Sequence, residues 1–132
     1  MNEDIRRLVA YRLDQAAETL DAARELCTTG HYRDAVNRAY YAMFYCGLAL
    51  LASKELGASK HSGVLGLVNR CFVKTGEFPA EDGRHLQEAF ELRQGSDYRE
   101  FVQITLGQVQ ETITKAEAFL EHTRQALANL EP

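Results

Sequence analysis

The sequence predicts an all-α fold, an antiparallel four- to five-helix bundle of up-down topology. Three observations predict it. Apolar residues recur at intervals of three and four along most of the chain, the spacing of one helix face. Only two prolines, Pro79 and Pro132, occur in 132 residues, so long helices are unobstructed. No segment shows the strict apolar–polar alternation of a half-buried strand.

The first helix is expected from about Glu3 to Cys27, with Ile5, Leu8, Val9, Leu13, Ala16, Leu20, Ala23 and Leu26 in helical register. Thr28-Thr29-Gly30 stops it, and Gly30 suits the left-handed position after a helix end. A second helix follows from about Tyr32 to Leu56. Val36, Ala39, Tyr40, Met43, Phe44, Gly47, Leu48 and Leu51 form one stripe, and its other faces are also apolar from Ala39 on, so it is expected at the centre of the bundle. Gly57-Ala58-Ser59 breaks it. The third helix is expected from about Ser62 to Thr75, with Ser62 as a cap and Gly76 as the stop. The fourth runs from about Ala80 to Gln94, and Gly95-Ser96-Asp97 is read as its end. Residues 97–104 are expected as an extended connection. Thr105-Leu106-Gly107-Gln108 has the form of a capping box, which starts a fifth helix running to about Asn129.

Composition bounds the class. A single domain over 1–132 is long enough to bury a core without disulfide or metal staples. Apolar residues make up 45% and charged residues 26%, a globular balance. The acidic start Met1-Asn2-Glu3-Asp4 has no apolar run behind it, so no secretory signal is read. The longest apolar stretch, Ala42 to Ala52, falls well short of the ~20 residues of a membrane span. Cys27, Cys46 and Cys71 are odd in number and widely spaced, which reads as free thiols in a reducing cytoplasm, with Cys46 in the core. A net charge of −4 argues against a broad nucleic-acid-coating surface. Within it, residues 54–75 carry Lys54, Lys60, Arg70 and Lys74 against Glu55 alone. Such a local patch fits a small anion or a short RNA, or is an ordinary solvated helix face.

Phosphate-binding glycine loops and zinc-type spacings are absent from the sequence, and no cofactor is read. His85 with Glu81 and Glu88 shares one helix face, an arrangement that arises readily without a metal. Three segments are more informative. Arg38-Ala39-Tyr40-Tyr41-Ala42-Met43-Phe44-Tyr45 sets a cation before an aromatic run. Lys60-His61-Ser62-Gly63 lies where the third helix begins, where the helix N-terminus favours an anion. Arg93-Gln94-Gly95-Ser96-Asp97-Tyr98 lies at the exit of the fourth helix, where a turn at Gly95 would aim Arg93, Asp97 and Tyr98 at one space.

With Phe72-Val73-Lys74-Thr75-Gly76, these segments resemble a HEPN domain in order and spacing, over roughly residues 5–125. The resemblance implies a helical bundle that dimerises, with the active cleft between protomers. It also implies metal-independent RNA cleavage in active members, which are often toxins encoded beside a small nucleotidyltransferase acting as antitoxin. The family signature is an arginine, four to six residues, then a histidine. Here the arginine is Arg93, and Tyr98 stands at the histidine position. Arginine suits a phosphate because its fork matches two oxygens. Histidine suits proton transfer near neutral pH, whereas tyrosine titrates near 10 and is a poor base. His61 is a candidate replacement and Asp97 a candidate orienting group; Lys60, Ser62, Arg38, Tyr41 and Lys74 are candidate ligand contacts. Each has a plainer alternative: His61 as a solvent-exposed turn residue, Arg38 as a buried arginine paired with Asp97 or a helix-one acid, and the aromatic run as core or dimer interface. Three functions follow: a homodimeric module that binds a nucleotide, RNA or a nucleotidyltransferase, a divergent metal-independent ribonuclease, or a plain helical scaffold.

Overall fold

The computed structural model describes residues 1–98 and 103–131, and the side chains of residues 96–98 lie outside the described residues. Among the described residues there are five α-helices: α1 (Glu3–Thr28), α2 (Tyr32–Ser53), α3 (His61–Val68), α4 (Ala80–Tyr98) and α5 (Leu106–Leu130). A π-helical turn, Asn69–Val73, continues α3.

The ends form as local chemistry dictates. The Asn2 side chain accepts a hydrogen bond from Ile5 N at 2.8 Å and starts α1, with Glu3 and Asp4 in the first turn where the helix dipole favours anions. At its other end Gly30 takes φ +83°, and the backbone bonds Gly30 N to Cys27 O and His31 N to Leu26 O close a Schellman motif. Thr105 and Gln108 form the expected capping box at α5.

Four expectations are corrected. Helix α2 ends at Ser53, three residues before Leu56. Its Schellman motif closes on Glu55, a non-glycine at φ 57°, through Glu55 N to Ala52 O and Leu56 N to Leu51 O. Helix α3 starts at His61 with Lys60 as N-cap, so Ser62 sits inside the first turn and does not cap it. The third helix also turns π-helical at Asn69, with Lys74 N bonded to Asn69 O, which rotates Phe72 fully into the core and leaves Val73 to face α4. Helix α4 runs through Gly95 to Tyr98, so residues 97 and 98 are helical and not extended. A lone glycine costs a helix only about 1 kcal/mol, too little to stop one that neighbours already hold. The rest of the expected connection, residues 99–102, lies outside the described residues, and 103–105 precede α5 without regular structure.

Helix α2 is the central element and packs against the other four. Tyr40, Met43, Leu50 and Leu51 are fully buried on it. Helix α5 runs antiparallel to α1 and to α4: Arg6 of α1 pairs with Glu131 after α5, and Glu88 and Asp82 of α4 meet Lys115 and His122 of α5. Cys46 is buried in this core, and desolvation pushes its thiol up to about 12, which keeps it protonated and unreactive. No helix among the described residues is long and apolar enough to cross a membrane.

Glu55 tests the helix-end account. A left-handed residue bearing a Cβ costs about 1 kcal/mol relative to glycine. Glu55→Gly should therefore raise the melting temperature by about 4 °C in a calorimetric scan. A variant no more stable than the parent would show that the left-handed turn at Glu55 is not strained.

Candidate functional site

The side chains that the sequence spreads over fifty residues meet on one face of α2. Tyr40 and Tyr41 stand in its first half, His61 opens α3, and Phe90 and Arg93 lie one turn apart on α4. Tyr40 is fully buried, so its hydroxyl needs a partner, and it lies 2.7 Å from His61 Nδ1. Phe44 stacks on the His61 ring at 4.3 Å with an interplanar angle of 18°, while Tyr41 meets it edge-on at 5.5 Å. Phe90 closes the cluster, 5.7 Å from Tyr40 and 6.3 Å from His61. The imidazole is thus held on two sides, and with Nδ1 taken, Nε2 is the nitrogen left to meet a ligand.

Two guanidinium groups converge on Tyr41. That of Arg93 lies 5.3 Å from the Tyr41 centroid and 5.7 Å from that of Tyr40. That of Arg38 lies 4.9 Å from the same Tyr41 centroid, with Nε and Nη2 donating to Asn37 Oδ1. Cation–π attraction offsets part of the cost of bringing the two charges together, closer than or near the ~10 Å screening length of dilute salt. Burial, and then the Arg93 charge, hold the His61 imidazole below its ordinary value of 6.5. Burial also pushes the Tyr40 phenol well above its ordinary value, with Arg93 opposing and Tyr41 adding to the rise, so the hydroxyl keeps its proton. Among the described residues, the cluster at neutral pH holds two guanidinium groups beside a neutral imidazole.

The structure brings together Arg38, Tyr41, His61 and Arg93 of the sequence candidates. Lys60 precedes His61 as an exposed N-cap whose side chain makes no capping bond. Ser62 lies beside the cluster, lining a cleft between α3 and α4. Lys74 is not part of it: it follows the π turn at the far end of α3, some 20 Å along the helix axis from His61. Asp97 and Tyr98 occupy the last turn of α4, and their side chains lie outside the described residues. Arg93 is not aimed by a turn at Gly95, because the helix continues; its register with Phe90 aims it. Lys54, first of the basic segment, serves the fold instead, donating to Cys71 O and Glu77 Oε1 at 2.7 Å each and lying over the Phe72 ring. Glu88 turns from His85 to Lys115. Gly63 packs closely on the preceding loop, and a Cβ there would come 3.0 Å from Ala58 Cβ. Sequence reasoning missed Tyr40 as the partner of His61 and Phe90 as part of the site; an apolar period marks both as core and carries no sign of what their edges touch.

The HEPN domain family matches residues 9–126. The chain belongs to the HEPN domain family. A "UPF0332 protein" of Thermotoga maritima is 42% identical over 98% of each chain. Two Methanocaldococcus jannaschii proteins, each named "Putative toxin", are 36% identical over 87% of this chain and 78% of the relative, and 35% identical over 98% and 96%. The HEPN assignment made from the four sequence segments holds, and the helical bundle it implies is the one observed.

The Arg93–His61 proximity has a titration signature. Removing a neighbouring cation favours the imidazolium, so Arg93→Ala should move the His61 midpoint upward in an NMR pH titration, while burial alone keeps it below 6.5. An unmoved midpoint would separate the two groups. The same depression makes the folded state lose stability as pH falls below 6.5, because the unfolded chain then takes up a proton that folded His61 refuses.

Proposed function

We propose that this HEPN protein binds the phosphate of a nucleotide or RNA at the Arg38–Tyr41–His61–Arg93 cluster. The observation that supports the reading is the convergence of two guanidinium groups on the single Tyr41 ring. The planar forks of the two guanidinium groups match phosphate oxygens. The N-terminus of α3, next to His61, adds backbone N–H groups and the positive end of a helix dipole. In this reading the protein acts as a homodimer in the cytoplasm, with the cleft shared between protomers. The toxin names of two relatives extend it to the toxin side of a pair whose other member is a small nucleotidyltransferase.

A second reading, metal-independent RNA cleavage, is favoured by one specific feature: a neutral histidine beside the arginine. Nε2 of His61 takes the 2′-hydroxyl proton, the freed oxygen attacks the adjacent phosphorus, and the bond to the 5′-oxygen breaks as that oxygen gains a proton. Arg93 holds the charge on the non-bridging oxygens. The depressed titration of His61 keeps it a competent base at neutral pH. Tyr98, at the position of the family histidine, contributes a hydrogen bond or a proton rather than a base, and Asp97 orients its partners.

Unstructured RNA incubated with the protein in EDTA tests both readings. Parent protein should bind, and Arg93→Ala should weaken binding by about tenfold or more and flatten its salt dependence. No binding, or binding indifferent to Arg93→Ala, overturns the phosphate site. Cleavage that His61→Ala abolishes while binding persists carries the second reading; RNA bound and left intact contradicts it. Light scattering should give a mass near twice 14.9 kDa, and a monomer at micromolar concentration contradicts the shared cleft.

A further inference from the structure

A cleft of about 500 Å³ runs between α3 with its π turn and α4. It is not part of the cationic cluster but begins beside it. At its closed end the helices nearly touch: a Cβ on Gly83 would lie 3.1 Å from Val73 Cγ2. Towards His61 they leave room, because Gly66 has no side chain and nothing lies within 4 Å of where its Cβ would be. The floor is apolar, formed by the buried Leu65, Val68 and Leu86. The rim carries two amides, Asn69 and Gln87, and the cation Arg84, all exposed. The π turn that widens the wall begins at Asn69, and such turns occur frequently at functional sites. Phe90 is shared: one side lines the cleft, and its ring stands 6.3 Å from His61.

We infer that this cleft is the base-binding subsite for an adenine nucleotide whose phosphate sits at Arg93 and His61. The inference rests on the phosphate reading above and adds what the ligand carries. A ligand for such a cleft has a flat apolar face for the floor and for Phe90, and a polar edge for the rim. A nucleobase has both, and side-chain amides pair with the donor–acceptor edge of adenine. The volume of about 500 Å³ lies within the range of small-molecule sites and accommodates a nucleoside. Continuity at Phe90 lets one nucleotide span both regions, either free or as a residue of an RNA chain.

Titration of the full-length protein with AMP, ribose 5-phosphate, inorganic phosphate and a short oligoadenylate tests the assignment. AMP should bind at least about tenfold more tightly than ribose 5-phosphate. Oligoadenylate tighter than AMP identifies a residue of RNA as the occupant; AMP the tighter identifies the free nucleotide. Gly66→Leu fills the open part of the cleft at a helical position and improves helix propensity, so the fold is retained. It should bring AMP down to the affinity of ribose 5-phosphate and leave the latter unchanged. Gln87→Ala, an exposed truncation, should reduce the AMP preference without touching phosphate binding. Equal binding of AMP and ribose 5-phosphate by the parent overturns the subsite while the phosphate site stands, as does an AMP preference that survives both variants. Failure of all four ligands to bind overturns the phosphate reading and the subsite together.

Discussion

The Tyr40 hydroxyl must find a hydrogen bond, because its ring is fully buried on the central helix, and the partner it finds is His61 Nδ1. Much of the site depends on that one requirement. It ties the start of α3 to the first half of α2, beside the apolar contact that Val64 and Val68 make with Gly47. It fixes which imidazole nitrogen is committed and which faces outward. It also sets His61 among Phe44, Tyr41 and Phe90, rings that would otherwise be only core. Loss of the hydroxyl removes about 1 kcal/mol of stability or more, and it frees the imidazole ring.

Electrostatics then separates the roles of the groups assembled there. Arg38 and Arg93 are cations at any relevant pH, and both are spent partly on Tyr41. His61, half-buried and beside Arg93, is the group that gives up its charge. A site with two permanent cations and one neutral imidazole is suited to holding an anion while leaving a proton acceptor in place. That combination serves a phosphate-binding module and a metal-free nuclease alike, which is why binding and cleavage are read by different substitutions. The net charge of −4 argues against a surface that coats nucleic acid broadly.

The parts of the fold that were legible in the sequence are those set by local chemistry. Gly30 and Gly76 mark left-handed turns because glycine alone takes them without strain, and the Thr105–Gln108 box is a pairing of residues three apart. The central place of α2 was legible from its all-round apolarity. Glu55 was not, because a left-handed turn on a glutamate leaves no compositional trace, so Gly57 drew the boundary instead. Gly95 misled for the converse reason: a glycine held in a helix by its neighbours looks the same in sequence as one that breaks it. The π turn at Asn69 depends on how Phe72 and Val73 divide between the core and α4, which is a packing outcome. In the site, the residue types were legible and their company was not. Arg38, Tyr41, His61 and Arg93 were singled out by residue type, but Tyr40 and Phe90 join them only through contacts between distant segments. Lys74 was drawn in by its place in a basic segment, and the length of α3 carries it away.

The central claim is that Arg93 and His61 form one anion site. The most direct measurement follows both side chains at once, the Arg93 Nε–H and the His61 imidazole resonances, as AMP is added to isotopically labelled protein. The account predicts that both move along a single saturating curve with one dissociation constant, and that Arg93→Ala removes the His61 response. Resonances that stay fixed, or that follow two unrelated curves, would contradict it.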